Sequence, residues 1–216
     1  MLGRMRYAYL LATLALLIVG RPFLPDFGRG LVLALLGLSL VTAAVTSATK
    51  RYQVWVGLAL TAVILVTSLM SRDAGGVDIG VISPTIGVVY WGFTAFLVLR
   101  RVLLDTTRVS IDAINGAVCV YLMMGLGWAQ AYTLLTVIEP ASFSFNGEII
   151  AASAHAFELF IGFSFITLTT LGYGNVVPMT PRADALAIAE AIAGQLYLAV
   201  LLARLVALEI AGRRRD

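Results

Sequence analysis

The segment best equipped for chemistry runs Phe163-Ser164-Phe165-Ile166-Thr167-Leu168-Thr169-Thr170-Leu171-Gly172-Tyr173-Gly174-Asn175-Val176-Val177-Pro178. A short apolar stretch, about Ala154 to Thr169, reads as a helix that enters a bilayer without crossing it. It then gives way to two glycines flanking a tyrosine. Non-helical backbone at membrane depth is tolerated only where it is buried in protein or lines a water-filled path. Glycine admits backbone conformations that L-residues resist, so successive carbonyls can be turned in one direction. A run of aligned carbonyls offers hard oxygen ligands that replace the hydration shell of an alkali cation. Such a site makes and breaks no covalent bonds and needs no organic cofactor.

These residues must be positioned by elements that sit in a membrane. Of the 216 residues, 60% are hydrophobic and 12% charged, whereas a soluble domain carries roughly 25% charged residues. The apolar residues fall into six blocks: about Tyr7–Gly20, Leu31–Thr49, Tyr52–Met70, Val77–Leu99 (with Pro84 as an expected kink), Ile111–Ile138 and Ala185–Ile210. A bilayer is crossed by about 20 helical residues, so the pattern predicts an all-α integral membrane protein with six spans. The segment Glu139–Asp184 is too polar and broken to be one plain span. A sequence pI of about 9.2 raises nucleic acid as a partner, but the basic residues are scattered among span-flanking loops and form no patch. Cys119 is the single cysteine and His155 the single histidine, which excludes an intrachain disulfide and a histidine-cluster metal site. No Ser/His pair, metal cluster or Gly-Asp protease motif lies in the spans, so no enzyme is expected.

Orientation follows the distribution of Lys and Arg. With the N-terminus in the cytosol, the inner side receives Arg4, Arg6, Lys50, Arg51, Arg100, Arg101, Arg108 and Arg213–Arg215. The outer side receives Arg21, Arg29, Arg72 and Arg182. Both termini are therefore expected in the cytosol of a multi-pass protein of the cell membrane. The first block also fits a signal peptide, although no small-x-small cleavage pattern precedes Arg21. Three regions are expected: a four-span domain over 1–99, a linker over 100–109, and a domain over 110–216 that holds the glycine-rich segment. In the linker, Arg101, Asp105 and Arg108 share a helical face; the segment reads either as a short interfacial helix or as a charged turn. The fourth block has no Arg before Arg100, so it lacks the charges of a voltage sensor. Six residues after Ile210 leave no room in this sequence for a cytosolic ligand-binding domain.

The run Thr169-Thr170-Leu171-Gly172-Tyr173-Gly174 resembles the selectivity filter of potassium channels, usually T-T-V-G-Y-G-D. The resemblance extends over about Ile111 to Gly212. It includes the short helix before the filter, Pro178 after it, and Gly194 at the place of a glycine hinge in the family's inner helix. The resemblance implies that the carbonyls of Thr170, Leu171, Gly172 and Tyr173, with Gly174 completing the filter and the Thr170 hydroxyl contributing, ligate dehydrated K+. It further implies a homotetramer, because one chain carries a single filter and four are needed to surround an ion. Leu171 stands in place of valine. Asn175 replaces the usual aspartate, and Ile166 occupies the position of the glutamate that pairs with it in some relatives. With both carboxyls missing, Thr169, Asn175 and Tyr173 are expected to brace the filter, with a weaker hold on the conducting state.

The remaining candidates carry two readings each. Glu190, on a stripe with Gly194 and Leu198, either braces the short helix and filter or lies near the outer interface bonded to backbone. Gln195 either lines the cavity or bonds a neighbouring helix. Glu148 and Glu158 either form anionic rings or, for Glu158, stabilise a helix N-terminus. His155 reads as a pH sensor or a solvated loop residue, and Trp55, Trp91 and Trp128 as packing or lipid-facing aromatics. The expected function is a potassium-selective channel in contact with membrane lipids. Its rivals are a non-selective cation channel of the same architecture, a potassium-uptake transporter (disfavoured by the single filter) and a non-conducting scaffold or regulatory subunit.

Overall fold

The computed structural model describes residues 6–20, 28–47, 51–70, 77–104 and 110–213. Seven helices are found there: α1 (Arg6–Val19), α2 (Gly28–Ser47), α3 (Arg51–Met70), α4 (Val77–Leu104), α5 (Ile111–Ile138), α6 (Ala154–Leu168) and α7 (Pro181–Arg213). Among the described residues, three helices are long and apolar enough to cross a membrane, over Val81–Leu104, Ile111–Ile138 and Pro181–Leu208. The 14 residues of α1 rise about 21 Å, less than the ~30 Å hydrocarbon core. The fold is mostly helical rather than purely so. Strands β1 (Phe143–Phe145), β2 (Glu148–Ile149) and β3 (Val176–Pro178) form a small antiparallel sheet in the order β2-β1-β3.

Local chemistry sets the ends of the helices that matter most. Ser110 caps α5, its Oγ accepting from Ala113 N at 3.1 Å, and Asp112 in the first turn suits the positive end of the helix dipole. Ser153 caps α6 in the same way through Ala156 N at 3.3 Å. Thr180 accepts from Ala183 N at 3.4 Å, and Pro181 takes the first helical position, where a missing N–H costs nothing. That cap explains why α7 starts before the expected Ala185. Pro84 lies inside α4, which continues as one helix through Arg100 and Arg101 to Leu104. Asp105 and Arg108 of the expected linker face lie outside the described residues.

The core centres on α5, which packs against α1, α4, α6 and α7. Tyr132 of α5, Phe143 of β1, and Phe160 and Phe163 of α6 form an aromatic cluster with ring centroids 4.9–5.8 Å apart. Each such pair adds roughly 0.5–1.5 kcal/mol beyond its burial, so the cluster fastens α6 and the sheet to α5. At the opposite end of α5, hydrogen bonds tie helix termini together. Tyr7 N donates to Asp112 Oδ1 at 3.2 Å, Arg101 Nη1 to the Thr46 carbonyl at 3.2 Å, and Arg204 Nη2 to the Leu103 carbonyl at 2.5 Å. The two arginines thus serve last-turn carbonyls of α2 and α4, which have no partner within their own helices.

Candidate functional site

The glycine-rich segment begins as a helix ending. Thr169 is the C-cap of α6; its N–H donates to the Phe165 carbonyl at 3.1 Å and its hydroxyl to the same oxygen at 2.6 Å. Thr170 N–H then donates to the Thr167 carbonyl at 3.0 Å, and Leu171 N–H to the Ile166 carbonyl at 2.9 Å. This pair of bonds, with Thr170 at φ 56°, is a Schellman motif, the left-handed turn that usually takes glycine. Ile166 therefore supports the segment through its carbonyl. Positive φ recurs at every second residue: 56° at Thr170, 64° at Gly172 and 75° at Gly174. Alternating backbone handedness cancels the usual reversal of successive peptide planes, so neighbouring carbonyls can share one direction.

A β-branched residue with positive φ is strained, and Thr170→Gly should relieve about 1–2 kcal/mol while deleting the hydroxyl. The expected outcome is a higher melting temperature combined with reduced ion flux, read by thermal unfolding and by liposome flux on the same preparation.

The far end of the segment is held by the sheet. Asn146 N donates to the Asn175 carbonyl at 2.8 Å, Asn175 Oδ1 accepts from Val176 N at 3.0 Å, and β3 pairs with β1 through Ser144↔Val177. Asn175 thus anchors the exit of the segment through Asn146 and Val176. Between the anchors, residues 169–175 are all exposed in the single chain. A Cβ built on Gly172 or Gly174 would meet nothing within 4 Å among the described residues.

A buried polar cluster joins α5, α6 and α7. Glu190 of α7 is fully buried; it accepts a hydrogen bond from the Tyr132 hydroxyl of α5, and its Oε1 lies 2.5 Å from the Ser164 hydroxyl oxygen of α6. Ser164 Oγ also lies 2.8 Å from the Gly125 carbonyl of α5. Glu190 thus meets side chains of both α5 and α6. Contacts are equally tight on either side of the cluster. A Cβ on Gly125 would fall 2.6 Å from the Phe165 ring, and one on Gly194 would fall 2.8 Å from both Cδ2 and the carbonyl oxygen of Leu168.

Residues 131–209 match the family model described as Ion channel. The chain carries an ion-channel pore domain. The matched part runs from the second half of α5 through α6, the glycine-rich segment and α7, so the site belongs to a channel and not to an enzyme. No curated protein and no solved structure matches the chain.

Within this pore domain, Gln195 is exposed in the single chain, as are Leu196 and Leu198. Glu148 is exposed on β2 and Glu158 half-buried on α6; the side chain of His155 lies outside the described residues. Trp91 is buried, Trp128 is half-buried, and Trp55 is 72% exposed on the apolar surface of α3, the place of a lipid-facing aromatic. Sequence reasoning missed Ser164 and Tyr132. The available signal was a lone hydroxyl inside Phe163-Ser164-Phe165, since a polar side chain in an apolar re-entrant helix needs a buried partner.

Proposed function

We propose that four copies of this chain surround one axis and pass K+ passively down its electrochemical gradient. The observation that carries the reading is the alternating backbone handedness at Thr170, Gly172 and Gly174, in a sequence that resembles a potassium filter. The permeant ion would be ligated by the carbonyls of Thr170, Leu171, Gly172 and Tyr173 and by the Thr170 hydroxyl, with Gly174 completing the filter. Channel pore domains of this kind generally assemble as oligomers. Two features of the single chain favour the fourfold form: its filter segment is uncovered, and only 6% of the apolar window of α7 is buried. Partner copies and lipid would cover that surface. The terminal ties among α1, α2, α4, α5 and α7 favour the six-span topology, because each joins ends that alternate crossings would bring to one side.

The test is ion flux from liposomes holding the purified protein, with K+ and Na+ gradients compared. Flux driven by K+ and not by Na+ is expected. Equal flux for both ions would replace selectivity with the non-selective reading.

A further inference from the structure

We infer that Glu190 carries a proton in the conducting channel, and that this proton completes a hydrogen-bond chain fixing the pore helix α6 to both of its flanking helices. The number of available protons requires it. Ser164 Oγ lies 2.5 Å from Glu190 Oε1 and 2.8 Å from the Gly125 carbonyl oxygen. A serine hydroxyl has one proton to donate, and a backbone carbonyl can only accept. With an ionised Glu190, Oε1 could only accept as well. One of the two contacts of Ser164 would then set lone pair against lone pair inside hydrogen-bond distance. A proton on Oε1 resolves the conflict: Glu190 donates to Ser164, Ser164 donates to Gly125, and Tyr132 donates to Oε2. Every contact then holds one proton.

The surroundings agree with the count. Glu190 is fully buried, and among the described residues no Arg or Lys pairs with it. A buried charge without a partner is costly. The titratable groups facing it are Tyr132 and, within electrostatic range, Tyr121, both from α5; from α6 it meets Ser164, which does not titrate. In alkaline solution the proton leaves for the solvent. Ser164 must then turn its own proton to the carboxylate, and the Gly125 carbonyl loses this donor. The hold on α6 loosens two residues before the Schellman motif begins at Ile166. Glu190 is thus a positioning residue that acts through Ser164, and its proton makes the filter sensitive to pH.

Infrared difference spectroscopy of the assembled protein in lipid, wild type minus Glu190→Gln at neutral pH, tests the proton itself. A protonated-carboxyl carbonyl band lost in the variant is expected; carboxylate bands in its place would overturn the inference. If Glu190→Gln does not assemble, Ser164→Ala must shift that band, and an unmoved band overturns the inference equally. The flux arm rests on the channel reading. Wild-type K+ flux should fall about tenfold from neutral to strongly alkaline solution, the worth of one buried hydrogen bond. Glu190→Gln, whose amide donates to Ser164 and accepts from Tyr132, should keep the neutral flux and lose the pH dependence. A variant silent at neutral pH beside a pH-independent wild type would refute the inference. A protonated band with no flux in any protein would refute the channel reading and leave the proton standing.

Discussion

Gly172→Ala should reduce ion flux by about 100-fold or more while helix content and assembly stay as in the wild type. The added methyl has room in the single chain, since nothing lies within 4 Å of where its Cβ would stand among the described residues. The penalty is conformational. At φ +64° an L-residue costs about 1–2 kcal/mol relative to the right-handed region, and the proposed fourfold assembly would multiply this to about 4–8 kcal/mol around one ring of ligands. That strain is relieved most cheaply by rotating the peptide planes next to Gly172, which turns a carbonyl away from the axis. An ion that has shed its hydration shell then finds a missing layer of oxygens. Liposome flux, circular dichroism and the size of the detergent-solubilised particle, measured on the same preparation, separate the two effects. Undiminished flux would mean that the carbonyls of this segment do not ligate the ion.

The strength of that expectation comes from how plainly the segment declared itself in the sequence. Glycines at alternate positions after an apolar helix have few structural uses in a membrane, and the apolar runs about Ile111–Ile138 and Ala154–Thr169 gave α5 and α6 to within a residue. Other features were legible but overlooked. Asn146-Gly147 between Phe-Ser-Phe and Glu-Ile-Ile is a strong two-residue hairpin signal. The structure places the two residues at φ 50° and 90°, with Phe145 opposite Glu148. Strands of three and two residues are too short to show an alternating pattern, so the segment read only as polar and broken. Glu190 stood out as a lone carboxyl in an apolar helix, yet its partners lie 26 and 58 residues away. No local pattern links residues so far apart; only the packing of α5, α6 and α7 brings them together.

Gly194 separates what a sequence can suggest from what packing decides, and its substitution carries the second large effect. Its position after the filter suggests a hinge. The geometry also gives it a packing task, because α7 crosses the end of α6 so closely that a Cβ at 194 would lie 2.8 Å from both the Leu168 carbonyl oxygen and Leu168 Cδ2. The leucine side chain is fully buried and has little space to turn, and the carbonyl belongs to the helical turn that leads into the glycine-rich segment. Gly194→Ala gains about 1 kcal/mol of helix propensity but meets an overpacking cost of roughly 1–3 kcal/mol. Overall stability should therefore fall by about 0–2 kcal/mol per subunit. The cost is concentrated one residue before the Thr169 cap, where any shift of Leu168 displaces the carbonyls that bind Thr170 and Leu171. Flux should fall about tenfold, with no more than a modest fall in melting temperature. A double variant, Ala193→Gly with Gly194→Ala, distinguishes the two roles. A hinge needs only a glycine in that turn of α7 and would be restored by moving it one residue, whereas a close approach needs the space at 194 itself. The double variant should remain as impaired as Gly194→Ala, and recovery of flux would return the residue to the hinge reading.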